Sequence, residues 1–130
     1  FCSLHGDPQQ AFPYFLGYAD EIGSGKGLGY NLNYPMPRDT SFTQWQQSLT
    51  AALAELDQFS PQYLIVSLGV DTFENDPISF FKLTTADYFT TGAMISELNI
   101  PTLFVMEGGY DIDEVGINVL EVLKGFESVK

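Results

Sequence analysis

Apolar residues recur along this chain in three rhythms, and each predicts a different element. The first is unbroken. "YLIVSL" (63–68) and "IPTLFVM" (100–106) carry almost no polar interruption, which predicts strands covered on both faces, the habit of parallel sheets. The second has a helical period. Phe42, Trp45, Leu49, Ala52, Leu53 and Leu56 fall on one face of a helix running to about Phe59, opened by Ser41 with Gln44 three residues on as a capping box. Thr84 or Thr85 caps a second helix through about Leu98, with Tyr88, Met94, Ile95 and Leu98 as its apolar side, and "EVGINVLEVLKGF" (114–126) is the last helix. The third rhythm is alternation: "YNLNY" reads as a strand stopped by Pro35 and Pro37. "FCSL" is a further strand, opening the chain as though midway through a fold. After it, "GDPQQAFPYFLGYADEIGSGKGLG" is too rich in glycine, proline and aromatic residues for a long helix or strand, and reads as a long loop.

Strands alternating with helices across short connections imply right-handed crossovers. The expected class is α/β, a three-layer α/β/α arrangement around a mainly parallel sheet, with residues 1–130 as one domain. In such folds ligands bind outside the carboxyl ends of the strands. Asp71 and Tyr110 each follow a buried strand, so the topology predicts that they are neighbours.

Composition narrows the partners. The chain has 130 residues, 45% of them hydrophobic, which is enough for a sizeable core. A formal charge of -12 disfavours non-specific attraction to nucleic acid or anionic membranes; it either favours cationic partners or serves solubility alone. Cys2 is the sole cysteine, so no intrachain disulfide can form and a redox role is not expected. No apolar run reaches the roughly 18 residues that span a bilayer, and no export signal is legible, so a cytoplasmic location is expected.

The candidate chemistry sits in the loops after the two apolar runs. "GVD" delivers the carboxylate of Asp71 to a strand end, where it would bind a hard or borderline cation. Alternatively Asp71 caps a turn, and Asp76 before Pro77 caps another. In "EGGY" the paired glycines would let the backbone approach a ligand and aim the Tyr110 hydroxyl, or would simply turn the chain.

Taken in order, "SLHGDP", "FPYFLGYADEIGSGKGLGYNLNYPMP", "VSLGVDTFENDPISFFKL" and "VMEGGYD" resemble the carboxyl-terminal portion of the zinc-dependent histone deacetylase superfamily, its acetylpolyamine amidohydrolase branch above all. The resemblance covers essentially the whole chain and implies a partial arginase/deacetylase fold. It implies Asp71 as a zinc ligand and Tyr110 as the hydroxyl that polarises the scissile carbonyl and stabilises the oxyanion. It implies Phe15 as an aromatic wall of the substrate tunnel, and Gly108 and Gly109 as the stretch passing close to substrate. Ser3 and the Leu4 carbonyl would hold a monovalent cation, usually potassium. The substrate class is an acylated amine or polyamine.

The family's remaining groups, a "D-x-H" zinc-binding strand end and a tandem His-His pair, have no counterpart here. The one histidine, His5, matches "SLH" and reads as a strand-end residue satisfied by local hydrogen bonds. Glu74, Asp76 and Glu107 are substitute carboxylates, better suited to calcium or magnesium than to zinc. The expectation is a carboxyl-terminal fragment with an incomplete zinc site, inactive alone and not retaining zinc. Its alternatives are a cation- or polyamine-binding module caged by Phe12, Tyr14, Phe15 and Tyr18, or one chain of a split enzyme. The missing strand would belong between "FCSL" and "YLIVSL", so self-association through bare strand edges is expected.

Overall fold

The structure is a computed structural model and describes residues 1–129. Six short strands and three helices follow in the order β1 (Cys2–Gly6), β2 (Leu32–Met36), β3 (Thr40–Ser41), α1 (Phe42–Phe59), β4 (Leu64–Leu68), β5 (Phe81–Lys82), α2 (Thr85–Ser96), β6 (Thr102–Met106) and α3 (Val115–Ser128). Every strand pair is parallel: β1 with β2, β3 with β5, and β4 with β6. The class is α/β, as the alternation predicts. The strands form separate two-stranded sheets, and no ladder joins β1 to β4 among the described residues.

Local chemistry sets the helix ends. At α1 the Gln44 side chain accepts the Ser41 N–H (3.2 Å), and the helix stops at Ser60, whose φ of 52° breaks the helical path. At α2 the Asp87 carboxylate accepts the Thr84 N–H (2.7 Å). This helix ends at Ser96, short of the expected Leu98, and a turn at Asn99 leads into β6. The apolar faces meet in one core containing Trp45, Leu49, Leu68, Val70, Leu83, Tyr88 and Val122. Helices α2 and α3 cross at Gly92 and Gly125. A Cβ at Gly92 would fall onto the Val122 carbonyl oxygen, and one at Gly125 onto the Phe89 carbonyl oxygen.

Two expectations about strands need correction. Alternate residues of β4 and β6 are open to solvent, Ile65 at 68% and Leu103 at 58%, so within this chain one face of that pair is uncovered. The other correction concerns β2, which starts at Leu32 and runs through Pro35. The Leu32 N–H donates to the Phe1 carbonyl (2.9 Å), and the Met36 carbonyl accepts the Asp7 N–H (2.8 Å). Even-numbered residues of β2 therefore turn their backbone groups toward β1 and odd-numbered ones turn away. Pro35 occupies an outward position, where its missing N–H forfeits no ladder bond.

A cleft of about 970 Å³ opens between the two larger strand pairs. Residues Cys2, Ser3 and Leu4 of β1 line it on one side and the whole of β4 on the other, with Trp45, Leu49 and Leu53 of α1 also on its wall. The buried indole N–H of Trp45 finds no hydrogen-bond partner among the described residues.

Candidate active site at the ends of two parallel strands

Pairing between β4 and β6 continues past both strands. The Glu107 N–H donates to the Leu68 carbonyl (2.9 Å), and the Val70 N–H to the Gly108 carbonyl (2.8 Å). The two loops thus leave the sheet together, and Val70, almost fully buried, pins the first of them. Asp71 follows directly. Its carboxylate lies against the Gly108 backbone so closely that a Cβ at Gly108 would collide with Oδ2 and come within 2.7 Å of Cγ. Gly109 has a φ of 147°, and a Cβ there would come within 2.7 Å of Val70 Cγ2. Both glycines are required by close approach, and they bring Tyr110 to within two residues of the Asp71 carboxylate's contact. The Tyr110 side chain is 54% exposed.

A buried phenol supports the floor. The Tyr88 hydroxyl donates to the Val70 carbonyl (2.9 Å) and lies 2.9 Å from Thr72 Oγ1, so α2 holds the backbone on either side of Asp71. Burial pushes the Tyr88 phenol far up, which keeps it a donor at every physiological pH. Burial also raises Asp71, and the Asp76 carboxylate beside it adds to the effect; a backbone hydrogen bond works in the opposite direction. A carboxylate raised in this way gains by facing a cation.

That shift has a measurable sign. A carboxyl whose folded-state pKa is raised favours folding in its protonated form, so ionised Asp71 opposes folding above its folded pKa and is neutral in effect below the ordinary value of 3.8. Asp71→Asn is therefore expected to raise the Tm of this chain at pH 7, with the gain vanishing as the pH falls below that ordinary value. Thermal melts across pH check this, and a variant equally or less stable at pH 7 would contradict it.

The other candidates fall elsewhere. Ser3 Oγ and His5 Nδ1 are 2.8 Å apart, and His5 Nε2 is 2.8 Å from the Gly17 carbonyl oxygen, so His5 is held locally at the strand end. Leu4 lies on β1 at an even position, which turns its carbonyl off the β2 ladder toward the free edge. Phe15 is 75% exposed on the long loop with a φ of 64°. Of the four aromatic residues proposed as a cage, Phe12 lines a small pocket with His5 and Gly17, and Tyr14, Phe15 and Tyr18 do not. Asp76 is buried and engaged by backbone N–H groups, while Glu74 and Glu107 are exposed. Among the described residues no group of three or more potential ligands is placed to hold a metal ion. A catalytic zinc normally takes three protein ligands, so Asp71 with its surroundings does not make a complete zinc site.

This geometry meets its relatives directly. Residues 1–126 match the histone deacetylase domain, and the chain belongs to that family. It is 54% identical over 129 residues to acetylpolyamine amidohydrolase 2 of Pseudomonas aeruginosa, covering 99% of this chain and 38% of that protein. It is 56% identical over 125 residues to the acetylpolyamine amidohydrolase of Mycoplana ramosa, covering 96% and 37%. The crystal structure of an acetylpolyamine aminohydrolase from Burkholderia pseudomallei superposes with a TM-score of 0.96 at 40% identity, over 98% of this chain and 37% of that one. The chain thus spans well under half the length of the curated relatives it matches.

Proposed function

We propose that this chain supplies one part of the active site of a zinc-dependent amide hydrolase acting on acylated polyamines. Tyr110 contributes the hydroxyl that donates to the oxyanion, and Asp71 contributes one anionic ligand. The observation that carries the reading is the seating of the Asp71 carboxylate against Gly108, two residues from Tyr110, where two parallel strands end. The substrate class rests on the relatives, two of which are amidohydrolases of acetylpolyamines. A net charge of -12 supports it by attracting a polycation. Phe15 is assigned to the tunnel wall, Gly108 and Gly109 to the substrate's passage, and Ser3 with the Leu4 carbonyl to a potassium ion.

Because the described residues do not complete a zinc site, the 130-residue chain by itself is expected neither to bind stoichiometric zinc nor to hydrolyse acetylpolyamines. Co-expression with a polypeptide carrying the family's "D-x-H" and His-His motifs is expected to produce both. Metal analysis and turnover of an acetylated polyamine check the pair. Turnover by the chain alone, abolished by chelator, or a well-folded assembly without hydrolysis, would each refute the proposal.

In the absence of such a partner, we propose that the chain pairs with itself. Among the described residues no strand ladder covers the edges of β1 and β4 that face the cleft, and bare strand edges of this kind recruit strands from other chains. A second copy can satisfy them in a symmetric dimer. High charge opposes this, so added salt is expected to strengthen the dimer by screening. Light scattering at micromolar concentration decides it, and a clean monomer near 14.4 kDa at all salt concentrations would rule it out.

A further inference from the structure

We infer that Asp76 is a positioning residue: its buried carboxylate fastens the backbone of Tyr110 to the loop that carries Asp71, and so fixes where the tyrosine hydroxyl stands. The catalytic consequence rests on the hydrolase reading above, while the clamp itself does not.

Asp76 is 6% exposed, in the connection between β4 and β5. Its Oδ2 accepts the N–H of Tyr110 (2.7 Å) and that of Asp111 (3.1 Å), and its Oδ1 accepts the N–H of Ile78 (3.0 Å). The turn beneath it is closed by backbone bonds from the Asp76 N–H to Phe73 (3.0 Å) and from the Ser79 N–H to Asp76 (3.0 Å). One carboxylate therefore joins segments 34 residues apart through charge-assisted bonds, with all its donors in the main chain.

Tyr110 needs such an anchor. More than half of its side chain is exposed, and Gly108 and Gly109 before it have no side chains to lock the loop. Its Cα position and the start of its side chain are set by its backbone, whose N–H is held by Asp76. Asparagine would preserve the shape but not the function. Its single acceptor oxygen can face Tyr110 and Asp111 or face Ile78, and either way an NH₂ group opposes an N–H.

Amide hydrogen exchange on the 130-residue chain tests the clamp without turnover. The Tyr110 and Asp111 amides should exchange more slowly than that of the exposed Ile112, and Asp76→Asn should accelerate both by about tenfold or more while α1 keeps its protection. Parent amides as fast as Ile112, or a pair unmoved by the substitution, overturn the clamp. The parent comparison stands even if the variant does not fold. In the assembly with the complementary polypeptide, Asp76→Asn should lower kcat about tenfold with KM nearly unchanged, and should cost nothing further when combined with Tyr110→Phe. Losses that multiply would show that Asp76 does not act through the Tyr110 hydroxyl. If the parent assembly has no activity, the hydrolase reading fails and the exchange data still decide the clamp.

Discussion

Gly92→Ala and Gly125→Ala are each expected to destabilise the chain by about 2–4 kcal/mol, a large share of the roughly 5–15 kcal/mol that holds a domain together. Helix propensity argues the other way. An alanine inside α2 or α3 should gain about 1 kcal/mol over glycine. The crossing reverses the sign, because a Cβ at Gly92 would also come within 2.8 Å of the Val122 carbonyl carbon and 2.9 Å of the Phe126 nitrogen. At Gly125 the obstacles are the Phe89 carbonyl and the Ala93 nitrogen. These are backbone atoms and cannot rotate aside. The helices must part, and withdrawing roughly 100–200 Å² of apolar surface costs about 2.5–5 kcal/mol. The double variant is expected to cost little more than one single, since one separation admits both methyl groups. Denaturant unfolding midpoints check this, and a single variant within about 0.5 kcal/mol of the parent would refute the close crossing.

Tyr110→Phe should reduce hydrolysis by the complemented assembly about a hundredfold or more, as loss of an oxyanion donor does. The change removes one hydroxyl from a largely exposed side chain whose anchoring bond is made by its backbone, so Tm and zinc content should not move. The loss should fall on kcat, because the donor meets charge that develops only in the transition state. Unchanged kcat with full zinc occupancy would remove Tyr110 from the mechanism.

Much of this arrangement is legible in the sequence, and the gaps have physical reasons. Ser41 and Gln44 announce α1 because capping is local, and its end near Phe59 follows from the apolar period. The apolar runs announce β4 and β6, but a run cannot say what covers it, and Ile65 and Leu103 are uncovered in this chain. That Asp71 lies beside the loop of Tyr110 follows from parallel topology. Pro35 ends a strand only if its hydrogen-less nitrogen faces a neighbour, which alternation in the sequence does not reveal. Asp76 before Pro77 reads as a turn residue, and its bond to Ile78 fits that, but nothing local marks it as the acceptor for an amide 34 residues away. Gly92 and Gly125 did leave a signal, since a glycine inside a helical pattern is a cost that tight packing can justify.

The outward placement of Pro35 reaches beyond the single chain. A foreign strand laid along the outer flank of β2 would meet a missing hydrogen at Pro35, and Pro37, just past the strand end, offers no donor either. Any pairing of further copies on these two strands would thereby be directional. Two copies meeting through β1 would carry a proline-guarded flank on each outside, and the ribbon would be closed to further addition. For a chain with other bare edges and an apolar sheet face, that guard would separate a finite assembly from an open filament along this part of the molecule.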